Sequence, residues 1–425
     1  MTEIGTYGEF SLTLHEATIP YRIPVNGTIE LTNRCPLDCS HCYNNLPMDD
    51  GEARTRELSL DELKRVMDEL ADLGCLWLLL TGGEIFARHD FLDLYTYAKR
   101  KGFLVTLFTN GVMITERIAD YLVEYRPFSI EITLYGGTKE TYEALTGIPG
   151  SYEKCLRGIK LLLDRNLPLK LKTVAVSTNY HEIPMMQEIA DGLGVEFKFD
   201  AMMNPRIDCS ASPLEVRLSP AEIVALDLDD PKRIAEWRRV ATDFAPPPPP
   251  PGEAGESYSC GGGVNSFAID PYGNMTICVL SHVDEYNVRD GSVAEGWDTF
   301  LRKVRHKKAS RVTKCTACAL KAFCGACPAN SELEAGDPDA PVDFLCRTSH
   351  LRAALFDIDV RPHGDCEYCV GASQRHEIDE MVDMVLERNF TAVQAARDAE
   401  AAIRGTASAS SCSTATCGAC SSHAQ

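Results

Sequence analysis

The sequence lacks a long hydrophobic run, because no apolar stretch approaches the ~18–20 residues with which a helix spans a bilayer. The first residues, Met-Thr-Glu-Ile, have neither the basic region nor the apolar core of a signal peptide. Positive charge is also scarce: 42 basic side chains stand against 62 acidic ones, and the formal net charge is −20 at pH 7. Such a chain repels phosphate backbones, which argues against nucleic acid as a partner. We therefore expect a cytoplasmic protein that binds neither membranes nor nucleic acid.

Cysteine, in contrast, is abundant, with 18 thiols in 425 residues. In the cytosol such thiols seldom form disulfides and more often bind metals. The chain is long enough for roughly two or three domains with a sizeable core. Its hydrophobic content of 44% is that of an ordinary globular protein. We therefore expect a folded protein in which most of the thiols are metal ligands.

The first three thiols, Cys35, Cys39 and Cys42, have the spacing C-x3-C-x2-C and follow an apolar, β-branched stretch at residues 27–32 that predicts a strand. Thiolates are the usual ligands of iron–sulfur clusters, and a four-iron cluster takes one ligand at each corner. Three thiols therefore leave one iron free to bind a small molecule. A zinc site that lacks its fourth ligand is the alternative interpretation.

A regular alternation of strands and helices follows the thiols. Ser59 and Glu62 form a predicted capping box that opens a helix, and Gly74 is placed to end it. Further strands are predicted at 75–80, 103–108, 128–134, 168–176 and 195–200, with helices near 90–101, 115–125, 151–165 and 182–191. Six strands separated by helices indicate right-handed crossovers and a parallel sheet.

Polar or glycine-rich segments come directly after four of these strands. They are the cysteine loop and the segments at residues 81–84, 109–111 and 135–137. In parallel α/β folds ligands bind at the carboxyl ends of the strands. Any one of the segments could be a simple turn, but together with the thiols they predict a binding face at that edge of the sheet.

This combination of motifs resembles the radical S-adenosylmethionine (radical SAM) superfamily. The resemblance rests on the three thiols and on the Gly-Gly-Glu segment that follows the second strand, formed by Gly82, Gly83 and Glu84. It implies a partial (β/α)6 TIM-like barrel over residues 27–204, preceded by a lead-in at 1–26. It also implies a [4Fe–4S] cluster on the three cysteines whose open iron binds SAM, which one electron cleaves to a 5′-deoxyadenosyl radical that takes hydrogen from a substrate.

The same resemblance implies which residues bind SAM. Residues 82–84 offer backbone carbonyls and a carboxylate, which are suitable acceptors for the methionine amine. His41 occupies the position next to the adenine, although it could also be a solvated loop residue. Thr133 matches the Ser/Thr that contacts the ribose, and Asn110 is a second candidate for that region.

Residues 205–259 lack the strand–helix alternation and are predicted to be an insertion and linker. Six consecutive prolines at 246–251 favour an extended polyproline II spacer. A docking site for a proline-binding module is the alternative. Cys209 in this segment, like Cys75 and Cys155, has no neighbouring thiol in sequence and is interpreted as structural or incidental.

A second series of thiols begins at residue 260. Gly273-x4-Cys278 lies in a predicted hairpin with its turn at residues 271–274. The seven thiols of the series are Cys260, Cys278, Cys315, Cys318, Cys324, Cys327 and Cys346. They resemble the SPASM extension of radical SAM enzymes, which implies a small cysteine-rich α+β domain over 260–372 with two auxiliary [4Fe–4S] clusters. The last close pair is spaced C-x2-C, where the family more often has three intervening residues.

By the same resemblance the first auxiliary cluster uses Cys260, Cys278 and Cys327, and the second uses Cys315, Cys318, Cys324 and Cys346. The first set has only three thiols, so it either leaves an iron open or is closed by another ligand, for which Cys366 and Cys369 are candidates. A pair of zinc ribbons is the alternative for this region, because its C-x2-C pairs also suit zinc.

The C-terminal part changes character. Residues 373–404 predict one or two amphipathic helices. Residues 405–425 are rich in Ser, Ala and Cys and predict a disordered tail that carries Cys412, Cys417 and Cys420. The tail could assist metal loading or redox exchange, supply a ligand to a cluster, or be a fused segment that resembles a substrate.

The sequence therefore favours a radical SAM enzyme that acts on a peptide or protein and forms a thioether or carbon–carbon crosslink in a ribosomally synthesised peptide. The alternatives are a maturase that oxidises Ser or Cys, an enzyme that modifies a tetrapyrrole, and a non-catalytic electron-transfer or cluster-carrier protein. Flavodoxin or ferredoxin is the expected electron donor. Only 34 residues precede Cys35, so we expect a separate protein to present any leader peptide. The sequence assigns no catalytic acid or base.

Overall fold

The computed structural model describes residues 6–243, 250 and 252–407, which form two compact units. The first unit contains the described residues up to 207 together with 212–216 and 260–307. The second contains 208–211, the described residues of 217–259, and 308 onward. Apart from residue 250, the proline run lies outside the described residues, as does the chain from residue 408 with Cys412, Cys417 and Cys420.

A mostly parallel sheet of nine strands forms the centre of the described part of the first unit. Its strands are β1 Asn26–Glu30, β2 Trp77–Thr81, β3 Leu104–Thr109, β4 Ser129–Thr133, β5 Leu169–Val174, β6 Glu196–Asp200, β7 Ser266–Ile269, β8 Asn274–Thr276 and β9 Tyr286–Asn287. They are arranged in the order β9-β8-β7-β1-β2-β3-β4-β5-β6. Strands β1 to β6 are all parallel, which confirms the predicted α/β fold.

Alternating burial explains why these segments form strands. In β2, for example, Leu78 and Leu80 are fully buried, whereas Leu79 between them is half-buried. Leu107 in β3 and Ile132 in β4 continue the same buried layer. In β2 and β3 one face is fully buried under the helices, whereas the residues that point to the other face are half-buried. The apolar core therefore lies between the sheet and its helices.

The helices of both units follow in chain order. They are α1 Tyr7–Thr18, α2 Gly51–Arg56, α3 Leu60–Asp72, α4 Phe91–Arg100, α5 Glu116–Glu124, α6 Lys139–Thr146, α7 Ser151–Leu163, α8 Ile183–Leu193, α9 Pro220–Leu228, α10 Pro231–Asp243, α11 Val293–Glu295, α12 Arg302–Arg305, α13 Lys321–Cys324, α14 Pro328–Ala335, α15 Asp343–Leu355, α16 Arg375–Leu386 and α17 Thr391–Ala407. Short 3₁₀ turns cover Ile19–Tyr21, Ile85–Ala87, Tyr180–Glu182 and Ser212–Val216, and a π-helical turn covers Gly296–Leu301. Among the described residues, no helix is long and apolar enough to cross a membrane.

The predicted capping box at the start of α3 is confirmed. The Ser59 amide donates to Glu62 at 2.7 Å, and the Glu62 amide donates back to the Ser59 hydroxyl at 3.3 Å. These bonds satisfy two of the amides that a helix leaves without partners at its first turn.

The hairpin predicted with its turn at residues 271–274 is also confirmed, and it joins the main sheet. Strands β7 and β8 are antiparallel, and the Asp270 amide donates to the Asn274 carbonyl at 3.0 Å across the turn. Strand β7 pairs in parallel with β1, with Ile269 opposite Ile29. The first part of the cysteine-rich region therefore extends the sheet that carries the first cysteine loop.

The described part of the second unit is helical, and it contains α9, α10 and α13–α17. Its core includes the buried side chains of Val224, Leu351, Tyr368 and Ile378. Segment 205–259, predicted as insertion and linker, contributes α9 and α10. The segment predicted to be helical, 373–404, contains Arg375–Leu386 and most of Thr391–Ala407, which form two helices.

Candidate active site

The three N-terminal thiols lie on the loop that leaves β1. Cys35 belongs to the two-residue strand Arg34–Cys35, which pairs with Leu46–Pro47. The Cys42 amide donates to the Cys39 carbonyl at 3.0 Å, which makes a tight turn between those two thiols. Burial raises the pKa of Cys35 to about 12, with contributions from the charges of Glu84 and Cys42. The three thiols are therefore close enough to affect one another electrostatically.

The three thiols of this loop can ionise together only if a bound cation neutralises their charge. Burial raises the pKa of Cys39 well above its usual range, and the charges of Cys42 and Cys35 raise it further. Burial also raises the pKa of Cys42. Three neighbouring thiolates are unstable in such a place unless a metal neutralises them, and a coordinated metal deprotonates a thiol outright. The donor set fits an iron–sulfur cluster held by three thiolates.

The Gly-Gly-Glu segment after β2 packs directly against the backbone that leads into Cys35. The Gly83 amide donates to the Thr32 carbonyl at 2.6 Å, and the Glu84 amide donates to the Arg34 carbonyl at 3.0 Å. A Cβ on Gly83 would lie 2.5 Å from the Asn33 carbonyl oxygen, and Gly82 has a φ of +129°. Only glycine allows this approach of two backbones.

The carboxylate of Glu84 is buried and held by three donors. It accepts hydrogen bonds from the Thr109 hydroxyl at 2.8 and 2.9 Å, from the Asn110 amide at 2.9 Å and from the Phe86 amide at 3.1 Å. Burial raises the pKa of Glu84 to about 7, and these donors act in the opposite direction. The side chain thus joins the loop after β2 to the end of β3.

Asn110 completes the connection between the first three loops. Its side-chain amide donates to the Cys35 sulfur at 3.4 Å, and its side-chain oxygen accepts from the Val112 amide at 3.0 Å. Hydrogen bonds to a cluster sulfur ligand are one of the ways in which a protein adjusts reduction potential. Asn110 therefore contacts a cluster ligand directly, a contact that the sequence alone did not predict.

His41 and Thr133 are the remaining residues predicted to bind SAM. The His41 ring lies 5.4 Å from the ring of Tyr135, and its buried Nδ1 has no hydrogen-bond partner among the described residues. Burial lowers the pKa of His41 to about 4, so the ring is neutral at physiological pH. Thr133 is the last residue of β4 and is half-buried, opposite Lys172 of β5.

The sequence did not predict several polar residues that lie at this edge of the sheet. Glu30 ends β1 and accepts hydrogen bonds from the Tyr43 hydroxyl at 2.7 Å and the Asn44 side-chain amide at 2.8 Å. Burial raises the pKa of Glu30 to about 7. The available signal was a carboxylate in the last position of the strand that leads directly into the thiol loop.

A histidine of the same unit interacts electrostatically with Glu30. His282 Nδ1 lies 2.8 Å from the Glu285 carboxylate, and its buried Nε2 has no hydrogen-bond partner among the described residues. The positive charge of His282 acts against the raised pKa of Glu30. No motif marks His282, because a lone histidine after a hairpin carries no spacing signal.

The C-terminal thiols are distributed over both units. Cys260 and Cys278 belong to the first unit and Cys327 to the second. The four thiols assigned to the second auxiliary cluster line one cavity of the second unit, namely Cys315, Cys318, Cys324 and Cys346. A hydrogen bond from Cys346 lowers the pKa of Cys315 and raises that of Cys346. The structure thus brings together these four predicted ligands.

The chain matches the family model described as the Radical SAM superfamily over residues 29–189. It is 29% identical over 360 residues to the PqqA peptide cyclase of Rhodopseudomonas palustris, which covers 79% of this chain and 90% of that protein. The AdoMet-dependent heme synthase of Methanosarcina barkeri is 27% identical over 325 residues, which cover 72% of this chain and 92% of that one.

A solved structure has the same fold. SuiB of Streptococcus suis, bound to the precursor peptide SuiA, aligns with a TM-score of 0.60 at 15% identity and covers 81% of this chain and 82% of that chain. A radical SAM domain implies a [4Fe–4S] cluster and SAM, and the three thiols beside the Gly-Gly-Glu backbone, of which Cys39 is buried and the other two are half-buried, fit both. The chain is therefore an enzyme with a radical SAM domain at residues 29–189.

Proposed function

We propose that this enzyme is a peptide maturase that forms a thioether or carbon–carbon crosslink in a ribosomally synthesised peptide. The observation that carries the proposal is the likeness to PqqA peptide cyclase, which covers 79% of this chain and 90% of that protein. Bound together, the cluster and SAM supply one-electron cleavage of SAM, which allows a hydrogen atom to be removed from the substrate.

The residues around the thiol loop take defined roles in this proposal. Cys35, Cys39 and Cys42 hold the cluster, and the backbone carbonyls of Gly82 and Gly83 accept the N–H groups of the methionine amine. Glu84 already accepts from three protein donors, so it fixes the Gly-Gly-Glu backbone and adds negative charge beside the amine. His41, whose buried Nδ1 has no hydrogen-bond partner among the described residues, would contact the adenine. Thr133 and Asn110 would contact the ribose.

The C-terminal thiols hold two auxiliary [4Fe–4S] clusters in this proposal. The four thiols that line one cavity support the second of these clusters. The first would take Cys260, Cys278 and Cys327. Forming a crosslink removes two hydrogens from the peptide, one as an atom and one as a proton with an electron. An auxiliary cluster is a suitable acceptor for that electron, and flavodoxin or ferredoxin would supply the electron for SAM cleavage.

Glu30 is our candidate for the proton acceptor. Its carboxylate is buried at the carboxyl edge of the sheet and bonds to Asn44, whose side-chain oxygen lies 3.6 Å from the Cys42 sulfur. A pKa of about 7 suits proton transfer near neutral pH. Replacing Glu30 with Gln should lower crosslinked product while SAM cleavage continues, because hydrogen-atom removal precedes the loss of the proton.

The proposal is tested by incubating iron-loaded, reduced protein with SAM and short peptides encoded beside its gene. The expected result is a peptide whose mass falls by two hydrogens, in an amount that increases with the amount of 5′-deoxyadenosine formed. A separate leader-binding protein should be included in a parallel reaction, since it would raise the yield if it presents the peptide. Formation of 5′-deoxyadenosine with no change in any such peptide would direct the search to another substrate class.

The likeness to AdoMet-dependent heme synthase favours one second candidate, a reaction on a tetrapyrrole. The same reduced protein can be incubated with an iron tetrapyrrole in place of the peptide. A tetrapyrrole product that depends on SAM would support this second candidate and contradict the peptide proposal.

A further inference from the structure

A group of two histidines and two cysteines in the second unit contains none of the seven thiols assigned to the two auxiliary clusters, although its cysteines are the candidates to close the first one. It consists of His350, His363, Cys366 and Cys369, and one ligand atom from each lies within 4.8 Å of the others. All four side chains are buried, with exposed fractions of 3, 8, 6 and 4%. We propose that these four residues form a closed, structural zinc site.

Two distances between ligand atoms match those of a tetrahedral zinc site. Cys366 sulfur lies 3.3 Å from His350 Nε2, and Cys369 sulfur lies 3.5 Å from His363 Nδ1. Zinc bonds of ~2.3 Å to sulfur and ~2.0–2.1 Å to nitrogen place neighbouring ligand atoms roughly 3.3–3.8 Å apart. His363 Nδ1 also lies 3.1 Å from the Arg361 carbonyl, and this contact gives way when that nitrogen binds zinc.

The donor types favour zinc over a third iron–sulfur cluster. Two thiolates and two imidazoles at tetrahedral positions are a common set for structural zinc, whereas iron–sulfur clusters are held mainly by thiolates. Four protein ligands also fill the coordination sphere, so the site has no open position for chemistry. Buried polar groups need partners, and a metal provides one for all four at once.

The chain around the site needs such a crosslink. His350 is on α15, whereas the other three ligands lie on the connection between α15 and α16, which contains neither helix nor strand. The Tyr368 hydroxyl, between the two cysteines in sequence, donates to Asp343 at 2.5 Å and accepts from Arg347 at 3.0 Å. Zinc would complete this attachment of the connection to α15.

The proposed zinc site lies beside the second auxiliary cluster but shares no ligand with it. Cys346 and His350 are four residues apart on α15, so they occupy the same face of the helix on successive turns. His350, His363 and Cys366 line the same cavity as Cys346. Zinc and the cluster would therefore be neighbours with separate ligands, and the zinc ligands can be replaced without removing a cluster ligand.

The direct test measures zinc and iron in the full-length, iron-loaded protein by elemental analysis. We expect about one zinc ion per chain in the wild type. The double variant Cys366→Ser/Cys369→Ser should lose the zinc and keep its iron, and the control Cys75→Ser/Cys155→Ser should keep both. Zinc that is absent from the wild type or unchanged in the first variant would overturn the proposal. A fall of about four irons in that variant would overturn it too, by making the two thiols cluster ligands.

X-ray absorption at the zinc edge of the wild-type protein tests the same site without any variant. We expect about two sulfur ligands at ~2.3 Å and about two nitrogen ligands at ~2.0–2.1 Å. A zinc bound by four sulfurs, or by oxygen ligands, would contradict the assignment even if the double variant fails to fold.

Discussion

The Glu84 carboxylate accepts a hydrogen bond from the Thr109 hydroxyl, which lies 2.8 Å from one carboxylate oxygen and 2.9 Å from the other. This contact joins the segment after β2 to the last residue of β3, and both groups are buried. Because Glu84 follows the two glycines that pack on the thiol loop, the position of the proposed amine acceptors depends on a residue from the neighbouring strand.

We expect the substitution Thr109→Val to weaken SAM binding roughly tenfold, because a hydrogen bond to an ionised group contributes about 1.5–3 kcal/mol. Isothermal titration of the iron-loaded protein with SAM measures the effect. Thr106→Val on the same strand is the matched control and should bind SAM like the wild type. Equal affinities of the Thr109 variant and the control would show that Glu84 is held by its backbone donors alone.

We expect Gly83→Ala to disrupt the first cluster and SAM binding together. The added Cβ would meet the Asn33 carbonyl oxygen at 2.5 Å, so the backbone leading into Cys35 must move. Gly192→Ala is a suitable control, since a Cβ there meets nothing within 4 Å. Cluster content by iron analysis and SAM affinity should both fall in the first variant and stay constant in the second.

The buried carboxyl of Glu30 should make stability depend on pH. Its folded-state pKa of about 7 lies above the unfolded value near 4.5, so the folded protein binds the proton more tightly. The contribution of Glu30 to stability is therefore fully present below pH ~4.5 and is lost as the pH rises to ~7.

The substitution Glu30→Gln keeps an acceptor for Tyr43 and Asn44 but removes this titration. The melting temperature of the variant relative to the wild type should therefore rise between pH 5.5 and pH 8, with a shift equivalent to at most about 3 kcal/mol. Thermal unfolding monitored by circular dichroism in the absence of oxygen gives the comparison. A difference in melting temperature between the two proteins that stays constant from pH 5.5 to pH 8 would contradict a raised pKa of the buried Glu30.

The second auxiliary cluster can be tested by removing one of its proposed ligands. Cys324 is buried and lines the cavity with three other thiols. We expect the substitution Cys324→Ala to lower the iron content from about twelve to about eight irons per chain, since each cluster holds four. Cys155→Ala, which removes a buried thiol of α7, should leave it unchanged. An iron content that stays near twelve in the Cys324 variant would exclude a ligand role for this residue.

Much of the fold could be predicted because local patterns and tertiary structure agree in the first 200 residues. The Ser59 capping box, the apolar strands and the glycines that end helices all depend on short-range physical chemistry. Helices α1 and α6 were not predicted. Helix α9 was not predicted, because its segment was interpreted as an insertion and proline-rich linker. Ser219 and Glu222 nevertheless form a capping box at the start of the helix.

The candidate site was predictable in part. The thiol spacing and the Gly-Gly-Glu segment are short sequence motifs, so they could be recognised from the sequence alone. Glu30, His282 and the four ligands of the proposed zinc site depend on side chains brought together from distant segments. For example, His350 and Cys366 are sixteen residues apart, with sulfur and nitrogen 3.3 Å from each other. Burial and contact of this kind are properties of the packed chain.

Formation of 5′-deoxyadenosine by the iron-loaded, reduced protein is the most direct measurement of the central claim, that three thiols hold a cluster with an iron open to SAM. We predict that the wild type produces 5′-deoxyadenosine from SAM and that Cys39→Ala produces none, although it keeps the iron of its auxiliary clusters. No 5′-deoxyadenosine from fully iron-loaded wild type, or an equal yield from the Cys39→Ala protein, would contradict the claim.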